Sequence, residues 1–402
     1  MNIAVIDAAF GDCGKGLMTD FHAAALGGAN VTVVRFNGGA QAGHTVVAPN
    51  GSRKRHIFSH VGSGALVGAA TYLSRFFITN PILLATEMVE LRKIACYPAI
   101  TIDARSPVTT PWDMLLNHLA ERARERNGGR HGSVGVGINE TVTRHETIPL
   151  TVGDLGSGLL PDIMRAIERD WVPGRAAALG IEPEALAGAD IEGAMQDFSR
   201  AVASFDAMAE TDHSRERPSG RNLIFEGAQG LLLDERHPFF PHVTRSRTGM
   251  PNVAALAADW GIDEIEINYV LRAYMTRHGA GPFPTEEPGL QYEDQTNVPG
   301  EHQGSLRFGY LDVPLIAEAI AHDMAAAGTL QRSPAMLTMT HMDQVGPRML
   351  AVVDQTRFKR NFASAILPNV VAGSVPGLRP AYMSCGPTRG HVGSAVVRKV
   401  AI

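Results

Sequence analysis

Short runs rich in β-branched residues, each closed by glycine or another turn former, recur along this chain. NIAVID at 2–7 and VTVVRF at 31–36 are the first two. Such runs suit strands buried on both faces of a parallel sheet. Between them MTDFHAAALGG at 18–28 predicts a helix stopped by Gly27 and Gly28, completing a strand–loop–helix–strand unit. NLIFEGA at 222–228, INYVLRAY at 267–274 and PAMLTMT at 334–340 predict further strands. A helix is predicted to start near Thr110, with Pro111 in first position and Asp113 completing a capping box. Trp112, Leu115, Leu119 and Ala123 share one of its faces, and Gly128 and Gly129 end it. Ile191, Met195, Phe198, Val202 and Phe205 mark a second amphipathic helix. HSRERPSGR at 213–221 is polar and predicts a surface loop. Strands alternating with helices predict an α/β fold with a large, mostly parallel central sheet flanked by helices.

Composition narrows the function. The chain has 402 residues, 45% hydrophobic and 19% charged, as expected of a globular protein with a large core. Its net charge of −5 leaves no global basic field for nucleic acid, so any phosphate must be held by local groups. Cys13, Cys96 and Cys385 are far apart and in no metal spacing, which predicts a reducing compartment. No run approaches the ~18 apolar residues of a membrane helix and the first residues lack a signal-peptide layout, so the expectation is cytoplasmic, with no membrane partner.

The chemistry is concentrated in glycine-rich loops that follow the strands. FGDCGKG at 10–16 is not a regular phosphate loop, because Ala9 stands at the leading glycine position and Gly16 where a serine or threonine would bind Mg²⁺. Asp12 offers a carboxylate instead. The backbone N–H groups of Gly14, Lys15 and Gly16 would face phosphates at a helix N-terminus, giving a P-loop-like core. The same residues also fit a simple glycine-rich turn with a solvated lysine. FNGGAQAGHT at 36–45 follows the second strand and carries His44, a candidate acid or hydrogen-bond donor to a phosphoryl oxygen, or a structural histidine. HGSVGVGIN at 131–139 brings Ser133, and FEGAQG at 225–230 brings Glu226 and Gln229. RHGAGPFPTE at 277–286, THMDQV at 340–345 and SCGPTRG at 384–390 complete the set. Each loop alone is a weak signal; together they predict one backbone-rich pocket for a phosphorylated ligand.

These stretches, in order from residue 3 to about 392, resemble the adenylosuccinate synthetase family. FGDCGKG is similar to its W-G-D-E-G-K-G-K, GGAQAGHT to G-G-x-N-A-G-H-T, and FEGAQGLLLD to F-E-G-A-Q-G-x-L-L-D. HVTRSRT is similar to Y-V-T-S-S-N-T, RHGAGPFPTE to R-V-G-A-G-P-F-P-T-E, FGYLD to T-G-W-L-D, THMD to T-K-x-D, and SCGPTR to S-T-G-P-D-R. The resemblance implies one domain over 1–402, with helical insertions at about 85–130 and 160–215. It implies a ligase that joins L-aspartate to C6 of a 6-oxopurine nucleoside monophosphate through a 6-phosphoryl intermediate, using GTP and Mg²⁺.

By resemblance Asp12 removes the N1 proton and ligates Mg²⁺, with the Gly43 carbonyl as a second metal ligand. Lys15 binds the transferring phosphoryl group and His44 stabilises charge on it. Gly14, Gly16, Gln41, Thr45, Ser133, Gln229 and Thr244 fall at nucleotide- or phosphate-binding positions. Arg144 matches an arginine reaching the nucleotide phosphate of a partner subunit, which implies a homodimer. Thr285 lies beside the aspartate and nucleotide region, and Arg307 matches the last arginine of a basic loop facing aspartate and the triphosphate. Asp343 matches the carboxylate that reads guanine, with Ser384 and Gly386 around that base.

The chain also departs from the family pattern. G-R-R-R-R-T-G-W-L-D is replaced by QGSLRFGYLD, so an arginine that grips aspartate and contacts the nucleotide 2′-hydroxyl is lost. Gln41 replaces an asparagine, Ser133 and Val134 a threonine pair, and His341 a lysine. These changes favour the viral branch that converts dGMP to 2-amino-deoxyadenylosuccinate, although well-known members of that branch carry serine where Asp12 stands. IMP remains the alternative acceptor, an unusual purine-like nucleotide a third, and ATP or dATP an alternative donor. From another class, a non-catalytic GTP-binding regulatory module would also keep the scaffold. A nucleoside-monophosphate kinase is disfavoured by the missing serine or threonine after Lys15.

Overall fold

The computed structural model describes residues 1–49, 54–126, 132–218, 220, 222–294, 304–331 and 333–395. Ten strands form the central sheet: β1 (Asn2–Asp7), β2 (Val31–Arg35), β3 (Ala70–Leu73), β4 (Ile100–Asp103), β5 (Glu210–Asp212), β6 (Asn222–Glu226), β7 (Glu266–Arg272), β8 (Ala335–Thr340), β9 (Leu378–Ser384) and β10 (Val392–Ser394). Their spatial order is β10-β9-β8-β7-β1-β6-β2-β3-β4-β5. Every neighbouring pair is parallel except β9–β10. The central strands are buried almost from end to end because helices cover both faces, the arrangement parallel sheets need.

The five predicted strands are all present, with ends shifted by up to two residues. β3, β4, β5, β9 and β10 were not anticipated, and β4 and β5 lie inside the segments expected to be helical insertions. All of them but β9 span only three or four residues, too short for a periodic signal. The unit opened by β1 is also not a nearest-neighbour pair: β6, from the middle of the chain, lies between β1 and β2.

The helix after the first glycine loop runs Lys15–Ala25, and the capped one runs Pro111–Arg126. Thr110 and Asp113 form the expected box, the Thr110 N–H donating to Asp113 at 2.8 Å and the Asp113 N–H to Thr110 Oγ1 at 3.3 Å. The buried face of this helix centres on Trp112, Leu116 and Ala120, whereas Leu115, Leu119 and Ala123 are only partly covered, a correction of one position along the helix. Gly128 and Gly129, expected to end it, lie outside the described residues, as do His131, Ser219, Arg221 and Gln303. The second amphipathic helix spans Glu192–Ala203 and buries Phe198, with Phe205 buried just beyond it. Two apolar cores result, one around β1, β6, β7 and β8 and one around Pro81–Lys93 and Pro111–Arg126. No helix among the described residues is long and apolar enough to cross a membrane.

Candidate functional site

A cavity of about 1500 Å³ runs along the carboxyl ends of β9, β8, β7, β1, β6 and β2. Loops after these strands supply its wall in the same order, so the cavity has a β8–β9 end, a centre at β1 and β7, and a β6–β2 end. Open α/β sheets place ligands at this edge. The residues singled out from the sequence line it, except Arg144, Glu226, Thr285 and Arg307. Asp12, Gln229 and His341 line it with positive φ of 61°, 56° and 57°. Left-handed backbone at non-glycine residues costs free energy and gathers where function demands a particular geometry.

The first loop is built by Asp7, whose role the sequence did not disclose. Its buried carboxylate accepts from the N–H groups of Ala9 (2.9 Å), Gly11 (3.2 Å) and Cys13 (2.9 Å). It also accepts from Lys15 Nζ at 3.1 Å, so Lys15 arrives at the cavity with its charge already compensated by a buried partner. Gly14, at φ 89°, precedes the Lys15–Ala25 helix and leaves the helix N-terminus open to the cavity. A helix start with free N–H groups is an anion site in waiting.

Asp12 is held from two sides by residues of β7 and the loop after it. Arg272 Nε donates to the Asp12 carbonyl at 2.6 Å, and its other nitrogens reach Tyr274 Oη (3.2 Å) and Asp294 (3.2 Å). His278 Nε2 lies 3.4 Å from an Asp12 carboxylate oxygen. His278 stands where the family motif has valine, a departure that puts a polar side chain beside Asp12. Neither Arg272 nor His278 was among the predicted site residues.

His44 opens a short hairpin, His44–Val47 against Arg55–Phe58, and its ring is buried. Its Nδ1 lies 2.7 Å from Glu226 Oε1, at the end of β6. Glu226 is fully buried and also accepts from the Ser63 N–H at 3.0 Å and from the Ser63 hydroxyl. Arg35, paired with Glu226 in the β2–β6 register, brings Nε to 4.0 Å. Burial alone would raise the Glu226 pKa, but the His44 and Arg35 charges with the His44 and Ser63 hydrogen bonds hold it at about 2. Glu226 is therefore an acceptor only, which puts the His44 proton on Nδ1. Burial holds the His44 pKa below its usual value against the pull of Glu226. Its Nε2 is buried and has no partner among the described residues; in the neutral ring it is an acceptor, and it donates to a ligand oxygen once the ring is charged.

At the β6–β2 end Gln41 donates to Gln229 across 3.4 Å, joining the two loops. Ser133 is tied to the Pro111–Arg126 helix through Asn117 Nδ2 at 3.0 Å. Thr244 lines the wall beside them, its N–H donating to the Leu233 carbonyl at 2.9 Å. At the β8–β9 end Asp343 is exposed in the short turn Met342–Val345, and Ser384 donates to the Gly386 carbonyl at 2.8 Å. His341 bonds Thr340 Oγ1 at 2.8 Å, and burial, with the Arg272 charge, lowers its pKa to about 3. It therefore presents a neutral ring where the family motif has a lysine.

Three of the expected site residues stand away from the cavity wall. Arg144 has a fully buried side chain and is committed within its own chain, donating to Asp113 (3.0 and 3.1 Å), Ile148 O (2.9 Å) and Val108 O (2.6 Å). Thr285 stands outside the cavity wall and bonds the Tyr310 carbonyl at 2.7 Å. Arg307 is turned back onto Glu286 and the carbonyls of Gly279 (3.0 Å) and Gly281 (3.1 Å), so it braces the 277–286 loop from behind.

A family model described as Adenylosuccinate synthetase matches residues 4–345. The adenylosuccinate synthetase of Halobacterium salinarum is 32% identical over 343 residues, covering 79% of this chain and 74% of that protein. Among solved structures, fully ligated adenylosuccinate synthetase from Plasmodium falciparum superposes with a TM-score of 0.69 at 17% identity, covering 97% of this chain and 98% of the other. Succinoaminodeoxyadenylate synthetase of cyanophage S-2L, bound to dGMP and dATP, gives 0.59 at 16% identity, covering 98% and 95%.

Proposed function

This chain belongs to the adenylosuccinate synthetase family of carbon–nitrogen ligases, and on that premise we propose that it joins L-aspartate to C6 of dGMP. The observation that carries the reading is the meeting of Asp12, the buried His44–Glu226 pair and the Gly14–Gly16 helix start on one cavity. A purine O6 is a poor leaving group until it is phosphorylated. Asp12 takes the N1 proton, which drives electron density onto O6. O6 attacks the donor's γ-phosphorus, and the bond from that phosphorus to the β–γ bridging oxygen breaks. Anionic phosphates arriving beside the ring draw a second proton onto His44, and the charged ring, compensated by Glu226, donates from Nε2 to the moving phosphoryl group. The aspartate amine then adds at C6 and inorganic phosphate departs with the O6 oxygen. Gly14, Lys15 and Gly16 hold the donor phosphates, and Gln41, Thr45, Ser133, Gln229 and Thr244 the nucleotides.

The Asp12 carboxylate and Gly43 carbonyl on the cavity wall suit Mg²⁺, which takes one or two protein oxygens and completes its shell from phosphates and water. When bound it would neutralise charge on the donor phosphates.

The choice of dGMP rests on two features. The Asp12 carboxylate can accept from guanine N1–H and N2–H₂ together. Arg307, the one arginine left of the basic loop, does not line the cavity, so a 2′-hydroxyl has no guanidinium from it. The retained Asp12 equally suits the second reading, IMP with GTP. Exposed Asp343 favours a guanine donor, and the neutral His341 ring accommodates ATP or dATP.

The test is direct. The protein is incubated with aspartate, Mg²⁺ and GTP, ATP or dATP, offering IMP, dIMP, GMP and dGMP in turn, and the products are weighed by mass spectrometry. A succinylated product from dGMP above all others is expected. Preference for IMP transfers the assignment to the second reading. Phosphate release that ignores aspartate overturns the ligase.

A further inference from the structure

We propose that Arg245 grips the 5′-phosphate of the acceptor nucleotide in cis, displacing its resting partner Glu146; this rests on the reading that the acceptor is a nucleoside monophosphate. An anionic ligand must meet cations, and most of those on the cavity wall are already committed. Lys15 is paired with buried Asp7, and Arg272 is spent on the Asp12 carbonyl and Asp294. Arg277 donates to the carbonyls of Pro282, His242 and Ala280 and lies over Phe10, 4.5 Å from its ring centre. Arg124 is bound to the fully buried Glu121 at 2.9 Å. Arg55 and Arg348 belong to the β8–β9 end: Arg348 follows the Met342–Val345 turn, and Val47, the partner of Arg55 in its hairpin, bridges to Thr388.

Arg245 is different. It lines the cavity at the β6–β2 end, directly after Thr244. Among the described residues its side chain makes one hydrogen bond, to Glu146 at 2.8 Å. Arg245 is 34% exposed and Glu146 61%, so the pair is solvated and weak, and an anion can replace the carboxylate at little cost. A guanidinium matches a phosphate with two parallel hydrogen bonds, better than it matches one loosely held carboxylate oxygen. The motif this stretch resembles, V-T-S-S-N-T, has a serine at this place, so the arginine is a feature of this chain. Arg247, the other arginine of the stretch, is occupied by Asp234 at 3.0 and 3.1 Å. Since Arg144 is sealed inside its own protomer, a cation supplied in cis removes the need for a partner's arginine at this phosphate.

The test measures binding of dGMP, IMP and phosphate-free deoxyguanosine by calorimetry, beside steady-state kinetics, for wild type, Arg245→Ala, Arg245→Lys and Glu146→Gln. Arg245→Ala should weaken both monophosphates about 10- to 100-fold and leave deoxyguanosine within twofold. Arg245→Lys should fall between, and Glu146→Gln, which removes the competing carboxylate, should tighten the monophosphates. A merely structural Arg245–Glu146 pair would make Glu146→Gln weaken binding as Arg245→Ala does. Monophosphate binding unchanged in Arg245→Ala, or a loss confined to aspartate or the triphosphate, overturns the inference. Monophosphate binding without any turnover in wild type would sink the ligase reading while leaving the Arg245 assignment standing.

Discussion

His44 Nδ1 and Glu226 Oε1 lie 2.7 Å apart, although 182 positions separate the two residues in the chain. The contact exists because β6 lies between β1 and β2 and delivers a carboxylate beneath the loop that follows β2. A carboxylate behind a histidine fixes the tautomer and steadies the charged ring. Glu226→Gln should therefore lower kcat about 10- to 100-fold, and His44→Asn about 100- to 10,000-fold. Rates at saturating substrate, with circular dichroism as the fold check, decide it. A Glu226→Gln enzyme within twofold of wild type would show that the pair serves packing alone.

Asp12→Asn isolates proton removal from position. The amide keeps the size of the side chain, and the Arg272 bond to the backbone carbonyl is untouched. Turnover should fall by at least about 1,000-fold while the melting temperature stays within a few degrees. Substantial residual ligation would remove Asp12 from the role of base.

The sequence was most legible where chemistry is carried by short motifs. FGDCGKG, GGAQAGHT and FEGAQG named Asp12, His44 and Gln229, and all three line one cavity. What it hid is long-range pairing. Nothing in NLIFEGA announces that Glu226 will face Arg35 across a strand boundary and bond His44. Asp7 looked like the end of a strand, yet its carboxylate folds the loop by accepting four hydrogen bonds. The short strands β3, β4 and β5 owe their place to the sheet already present, and tertiary context of that kind leaves little local signal.

Arg144, which the motif implies would reach a partner's nucleotide, yields its own prediction. The arginine in ETVTRHE is an internal strut: four hydrogen bonds tie it to Asp113 and to two carbonyls. Arg144→Leu leaves the buried Asp113 carboxyl without its guanidinium. Breaking a buried pair this way costs about 3–5 kcal/mol. Urea denaturation should show that loss, and the folded fraction should keep the wild-type KM for the acceptor. A stable Arg144→Leu protein with a raised acceptor KM, rescued by mixing with an active-site variant, would restore the in-trans role.

Asp323 makes stability depend on pH in a direction opposite to most carboxylates. It sits buried in the Val313–Ala327 helix, accepting from the Met250 N–H at 2.7 Å and the Tyr269 hydroxyl at 2.9 Å. Burial raises its pKa to about 7, outweighing those two hydrogen bonds. The unfolded chain would titrate it near 4, so the folded state binds the extra proton between those values. Its contribution to stability is then complete below about pH 4 and is lost as pH climbs to about 7, at a slope of at most about 1.4 kcal/mol per pH unit. Asp323→Asn imitates the protonated acid at every pH: its oxygen can serve the Met250 N–H and its amide the Tyr269 oxygen. Urea midpoints of the two proteins should therefore converge near pH 4 and separate by pH 8, with the variant the more stable. The comparison cancels the carboxylates common to both, so the gap reports Asp323 alone. Two curves that stay parallel from pH 4 to 8 would mean that this carboxyl does not change its protonation on folding.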